Sequence, residues 1–497
     1  MADDYIYPTH FMDNSRGLKN LILAWTLRFN DVLDGDQLSA ALWRLFEIGD
    51  WRKLGGRLRV GKGGKLEMHV PRTFTKERPP VAYTKEIFDV AIGEHSLAKD
   101  LPSPTEKPSL QRPASYFRSL SVRPDAPSTI GELVSQDVPQ VSLHVVTFTD
   151  ATLVSISWPH TLMDGMSLQG LLKAWSLVLA GKEDQVPALL GAKDDVLYAA
   201  AQDAAPGDEW VLRRTVLTGF KFFLFVVLFL WGVLTERTIE SRTICLPKAA
   251  MAKLRRQALD EAAVSGSGQE KAPWVSEGDV IMAWAVRMVA RAQPSPRPVN
   301  ALCALDLRPR IPELAESDGV YIQNVLIGSS VQLSKDDARQ PLGVIASRCR
   351  EALVTQATAS QLRSFLFALC KILDAGGDPT LLPGVWNGEL FTISNWTKAD
   401  FVKLVDFSPA VVKTGQAEEQ RINPPGTMVY HQSFVLGHDA TLRNVMAVLG
   451  KDHSENYWMM GYFPPRTWAV IEKEIQKMGE TRQRSDAESV TGHAYFR

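Results

Sequence analysis

Apolar and polar positions alternate from Leu153 to Trp158: Val154, Ile156 and Trp158 fall on one side, Leu153, Ser155 and Ser157 on the other. A period of two predicts a half-buried strand. Val141 to Phe148 alternates as well, so the two segments are expected to form a hairpin across 149–152. Pro159 has no N–H for a sheet ladder and should end the strand. The period then lengthens, with Leu168, Leu171, Leu172, Trp175, Val178 and Leu179 at helical spacing until Gly181. Between strand and helix lies the hexapeptide His160-Thr161-Leu162-Met163-Asp164-Gly165. A histidine on a tight turn is positioned by the elements on either side yet free to meet a ligand. That placement suits a general base.

The same patterning predicts a helix from an N-cap near Asp36 through Leu38, Leu42, Leu45 and Phe46. Leu58–Val60 and Leu66–Val70 flank Gly61–Gly64 as a second hairpin. Residues 98–137 are proline-rich and read as a surface excursion, and the acidic, alanine-rich stretch from Gly181 to about Trp210 reads as connection. A charged helix over 248–262 is followed by the flexible joint Ser265–Gly268. Ser276 and Asp279 resemble a cap and acidic first turn, opening a helix with Val280, Ile281, Trp284, Met288 and Val289 on its apolar side. Val299–Leu305 and Tyr321–Val331 read as strands. Helices and strands follow in mixed order without regular βαβ alternation, which predicts an α/β chain of α+β character with mixed sheets, built as two layered halves.

One stretch breaks the pattern. Phe222 to Leu234 runs thirteen residues without a charge, between Arg213, Arg214 and Lys221 on one side and Glu236 and Arg237 on the other. As a helix it would cover roughly two thirds of a bilayer's hydrocarbon core. It is expected either to lie in a membrane surface or to pack against the protein. The first is favoured, as a weak peripheral contact with an endomembrane.

Composition narrows the function classes. The 497 residues include 55 Lys plus Arg against 56 Asp plus Glu, a formal charge of −1, with no basic stripe for nucleic acid. Hydrophobic residues make up 45% and charged residues 22%, the balance of a globular chain. Cys245, Cys303, Cys349 and Cys370 are scattered, with no CxxC pair, and read as small buried hydrophobes in a reducing compartment rather than as a disulfide framework or metal site. Neither the first residues nor Ala494–Arg497 carries a targeting or lipidation pattern, so a cytoplasmic protein is expected. His144 and His431 read as structural.

Within the hexapeptide, Gly165 permits a backbone conformation that a side chain would resist. Asp164 could orient His160 as a triad carboxylate does. It could instead turn away and hold the bend through an arginine, for which Arg308 and Arg310 are available.

The hexapeptide matches the HxxxDG motif of the BAHD acyltransferases, the coenzyme A-dependent transferases of plant and fungal specialised metabolism. Further segments resemble that family in order: Leu33–Leu38 with Leu54–Leu58, Ser276–Trp284, Asp306-Leu307-Arg308 with Arg310, Tyr321–Asn324, Ser394-Asn395-Trp396, and Asp406-Phe407. The last continues as Ser408-Pro409-Ala410 rather than the plant DFGWG sequence, which resembles the fungal branch that includes trichothecene acetyltransferase-like proteins.

The resemblance implies two chloramphenicol-acetyltransferase-like domains, 1–204 and 271–497, joined by a crossover at 205–270 that carries the apolar segment 222–234. It implies His160 as the base in a channel between the domains, with Asp164 turned away onto Arg308 and Asp164, Gly165 and Arg308 supporting the turn. Ser394 hydroxyl or the Trp396 indole N–H are its oxyanion or channel residues, with Trp396 equally readable as a core aromatic, and Asp406 belongs to a structural motif. No bound cofactor or metal is expected. Acyl-CoA would be a co-substrate and a small-molecule alcohol the acceptor, taken up by a monomer. The expected activity is O-acylation, most simply O-acetylation, of a hydroxylated secondary metabolite. Two alternatives share the scaffold. A condensation-type enzyme fed by a carrier protein usually has a second histidine directly before the motif, where this chain has Pro159. A catalytically silent, membrane-associated binding protein would have no need to keep the base.

Overall fold

The computed structural model describes residues 4–205, 207–265, 274–437 and 442–491, the segment 481–491 as backbone only. The predicted hairpin is present as Ser142–Thr147 and Thr152–Pro159, antiparallel, within a five-stranded sheet. Its order is Met428–Val435, Ile22–Phe29, Thr152–Pro159, Ser142–Thr147, Ala82–Ile87, with only the last pair parallel. The central strand is buried on both faces, not one. Helices Gly35–Leu45 and Gly165–Leu179 cover one face, tied together where the Trp175 indole N–H donates to the Leu38 carbonyl at 3.0 Å. The other face is covered by the segment expected to be a surface excursion: Ala98, Leu101, Phe117 and Leu120 pack against Val146, Phe148 and Leu153. Ser155, although enclosed, donates to the Thr26 hydroxyl at 2.9 Å, which satisfies it without water.

A seven-stranded sheet forms the second layer system, in the order Leu326–Leu333, Val299–Asp306, Glu389–Asn395, Val445–Lys451, Tyr457–Phe463, Glu240–Leu246, Ser109–Gln111. Parallel and antiparallel neighbours are mixed, as the irregular element order predicted. The helices Lys248–Ser265, Glu277–Ala292 and Leu342–Gln356 and the start of the helix Pro465–Thr491 pack on it. Sheet membership does not follow chain order. Ser109–Gln111 edges the seven-stranded sheet, and Met428–Val435 edges the five-stranded one. Each half thus lends the other a strand.

Local signals were read correctly where side chain and backbone agree. Ser276 and Asp279 form a reciprocal capping box ahead of Glu277–Ala292. The turn at Lys62–Gly64 joins paired strands, with Gly63 at φ 81°. The first helix starts earlier than expected, because Asp34 rather than Asp36 caps it, accepting from the Asp36 and Gln37 amides. The stretch after Gly181 is more than connection: Val196–Gln202 buries Leu197, Ala200 and Ala201 against Ala359–Asp374. Beyond Ser265, the glycine–serine joint lies outside the described residues. The segment 319–333 is two strands, Gly319–Tyr321 and Leu326–Leu333, and the break between them matters for the site.

The apolar segment is a helix, Gly219–Thr235, with Phe225 as its one buried residue. No helix among the described residues is long and apolar enough to cross a membrane.

His431 joins the two sheets. Its Nδ1 accepts from the Trp25 indole at 2.9 Å and its Nε2–H donates to the Leu449 carbonyl at 3.1 Å. Protonation would put two N–H groups face to face at Trp25, and burial holds its pKa down at about 4. It is a neutral structural ring, as read from sequence.

Candidate active site

The hexapeptide turn is pinned from four sides. The His160 amide donates to the Leu21 carbonyl (2.8 Å), and the Leu162 amide to the Pro159 carbonyl (2.9 Å). The Trp158 indole N–H reaches back to the Met163 carbonyl (3.1 Å). From the other half, the Asn324 amide nitrogen donates to the His160 carbonyl at 2.7 Å. Asn324 is itself held by Asp13, whose Oδ1 accepts from both its main-chain and side-chain N–H groups at 3.0 and 2.8 Å.

Asp164 caps the helix Gly165–Leu179, accepting from the Ser167 amide at 2.7 Å. Its two oxygens also receive the Arg308 guanidinium, both at 3.1 Å, and the Val325 amide at 2.9 Å. Burial opposes ionisation of this carboxyl. The facing Arg308 charge and the converging N–H groups outweigh that cost and hold its pKa below the usual value. Arg308 in turn donates to Asp306, to the Ser167 hydroxyl and to the Tyr321 and Gln323 carbonyls. Those carbonyls are available because the strand breaks between Tyr321 and Leu326. Arg310 instead donates to the Asp306 carbonyl. The carboxylate of Asp164 thus faces Arg308 and the Val325 amide of the other half.

The His160 imidazole is left without a carboxylate partner. Its Nδ1 is buried and has no hydrogen-bond partner among the described residues, which leaves Nε2 as the nitrogen on the open side. Burial lowers its pKa from the ordinary 6.5, with its own main chain and the more distant Asp164 charge working in the opposite direction. Burial thus favours the neutral ring, the form with a lone pair to offer.

Gly165 earns its place for a reason different from the expected one. Its backbone is not left-handed. A Cβ there would lie 3.2 Å from Nε1 of Trp396, so the indole lies close against the first turn of the helix. Trp396 also packs 4.6 Å from Trp25, centroid to centroid, and its N–H has no hydrogen-bond partner among the described residues. It packs against the core cluster. Ser394 sits two residues earlier, on Glu389–Asn395, part-buried and paired with Ala447 of the neighbouring strand. Asp406 is remote and exposed: its amide donates to the Ser176 hydroxyl, near the far end of the helix, and its carboxylate accepts from the Ser408 amide. The adjacent Phe407 is the buried member, stacked on Phe29 and against Trp175.

Sequence reasoning missed Asp13 and Ser167. Asn324 was within a recognised segment, but no side-chain role could be read for it. Nothing local marks Asp13, which lies more than three hundred positions from its partner.

A model of the Transferase family matches residues 129–409. The O-acetyltransferase PaAT-2 of Phomopsis amygdali is 37% identical over 487 residues, covering 96% of this chain and 98% of that protein. Acetyltransferase BOT5 of Botryotinia fuckeliana is 34% identical over 497 residues, covering 95% and 91%. Among solved structures, F. graminearum TRI101 complexed with coenzyme A and T-2 mycotoxin matches at a TM-score of 0.64 over 96% of this chain and 98% of that one. At 13% identity that likeness is one of fold.

Proposed function

We propose, for a chain that belongs to the Transferase family of BAHD-type enzymes and is therefore an acyltransferase, that it carries an acyl group, most simply acetyl, from coenzyme A to a hydroxyl of a secondary metabolite. The names of the fungal relatives and the coenzyme A and toxin bound by TRI101 support this reading. The observation that carries it is a neutral imidazole with an open Nε2, on a turn braced from both halves of the chain.

His160 Nε2 takes the proton of the acceptor hydroxyl as the oxygen attacks the thioester carbonyl carbon. The oxyanion that forms needs a donor in place before the reaction, commonly worth about 3 kcal/mol. The Trp396 N–H, beside the turn and without a partner among the described residues, and the Ser394 hydroxyl are the groups we assign to it. Collapse of the intermediate breaks the C–S bond, and the imidazolium returns its proton to the departing thiolate. No acyl-enzyme is needed, because both substrates meet at one base.

The division into 1–204, 205–270 and 271–497 is retained as the domain reading, with the lent strands as exceptions. We take the working unit to be a monomer, since His160, Asp164, Arg308 and Asn324 all come from one chain.

Acetyl-CoA offered with a panel of alcohols should release free thiol only when an accepted alcohol is present, with the ester found by mass spectrometry. Transfer only from a carrier-protein thioester would point to a condensation-type enzyme. Binding without turnover would point to a silent scaffold, and either outcome overturns the proposal.

We also propose that the enzyme rests on a membrane surface. Phe220, Phe223, Val227, Leu230, Trp231 and Leu234 form an exposed ridge along the helix Gly219–Thr235. Lys221 and Arg237 stand exposed beside it. An apolar ridge with basic flanks suits an anionic bilayer surface. Full-length protein should float with anionic vesicles, and Phe223→Ser with Trp231→Ser should abolish flotation. A wild-type chain that stays at the bottom of the gradient would sink the idea.

A further inference from the structure

The inner face of the same helix roofs a cavity of about 420 Å³. Phe225, Leu228 and Phe229 form its apolar side, with the largely exposed Trp231 of the outer ridge at its rim. Arg297, Arg443 and Arg466 form the opposite side, with Glu236 and Glu389 among them. Both carboxylates are already engaged. Glu236 receives Arg443 at 2.8 Å and Arg466 at 2.7 Å. Glu389 receives Arg297, together with the Asn444 amide at 2.7 Å. Among the described lining residues, three guanidinium groups against two carboxylates leave one positive charge over.

That charge has a location. The Arg443 side chain is only 5% exposed, and its Nη1 has no hydrogen-bond partner among the described residues. Arg443 is paired with Glu236 through Nη2, but leaving its Nη1–H donors buried without an acceptor is costly, so this position favours an anion. At Gly232 a Cβ would make ordinary contact with the guanidinium, 3.6 Å from Nη1, so only a larger side chain there would enter the cavity. The cavity is within the usual size of small-molecule sites.

We propose that this cavity binds an amphiphile with an anionic head, carboxylate or phosphate monoester, and an alkyl tail. The head would pair with Arg443 Nη1 and the tail would lie along Phe225, Leu228 and Phe229. The site is separate from the acyl-transfer centre: Glu389 and Leu390 begin the strand whose other end carries Ser394 and leads to Trp396, about 20 Å away. A bound amphiphile would hold the helix to the body by its inner face, leaving the outer ridge free.

Calorimetric titration of the full-length protein with dodecanoate and with dodecyl phosphate, both below micelle formation, tests this. Both should bind, and the tighter of the two identifies a free fatty acid or a phospholipid head as the nearer analogue. Inorganic phosphate and dodecyltrimethylammonium, the head alone and the tail with the opposite charge, should not bind measurably. Arg443→Gln should weaken binding about tenfold or more. Gly232→Leu, which fills the cavity and leaves every charge in place, should abolish it, and it decides the matter if Arg443→Gln does not fold. Phe223→Ser, on the outer ridge, should bind as the wild type does. Equal binding of the cationic amphiphile, indifference to Gly232→Leu, or no binding of either anion would overturn the proposal.

Discussion

Alanine at position 160 is expected to slow acyl transfer by about two to four orders of magnitude, the usual contribution of a positioned base. That corresponds to about 3–5 kcal/mol of barrier. Stability should change little, because what fixes this residue is its backbone: the Leu21 and Asn324 hydrogen bonds involve its amide and carbonyl, which alanine keeps. On the imidazole, Nδ1 has no hydrogen-bond partner to lose among the described residues. Alcohol-dependent thiol release, read beside thermal unfolding, separates the two quantities. Near-normal turnover in His160→Ala would mean that the proton leaves by another route.

Asp164→Asn should behave in the opposite way. It removes the charge that faces Arg308 across the two halves, where Asp164 is buried and Arg308 largely enclosed. Breaking a buried pair from one side typically costs about 3–5 kcal/mol, because the remaining charge keeps its desolvation penalty. Denaturant unfolding should register that loss, together with a lower folded yield. Arg308→Met should cost a similar amount. The double variant should cost less than the sum of the two, as expected for groups in one network. If Asp164→Asn kept its stability while losing its rate, the carboxylate would be orienting the base, as in a triad, and the clamp reading would fail. The two substitutions thus divide the labour of the turn: one residue moves the proton, the other holds the bend.

Much of this was legible along the chain because it is local. Alternation over 153–158 and helical spacing over 168–179 each report a covered face within a few residues, and the strand, turn and helix follow from them. The histidine's place at the junction follows too, as does the capping box at Ser276, since cap and partner are three residues apart. The covering of the second face of that strand was not legible. Residues 98–137 look like surface from composition, and only their docking onto Phe148 and Leu153 makes them core. The helix after Gly181 was missed for the same reason: its apolar residues are few, and its burial depends on a partner at 359–374.

The hexapeptide by itself gave a general base on a braced bend and named the residues that could serve it. It could not say why the glycine is there. The backbone at Gly165 needs no special φ, and the constraint is the Trp396 indole, brought in from more than two hundred residues away. Nor could it choose between orienting the base and clamping the halves for Asp164. That choice rests on Arg308, Val325 and the strand break at 322–325, which meet the turn only after folding. Asp13 and Asn324, which hold the His160 carbonyl, meet across 311 positions and leave no local trace. Sequence alone determined the chemistry available at the turn, because a side chain's pKa range and a backbone's periodicity are properties of the residues themselves. Tertiary structure decided the environment of that chemistry: desolvation and hydrogen bonding come from whatever the fold brings near, and those set which carboxylate is a clamp and which nitrogen is left open.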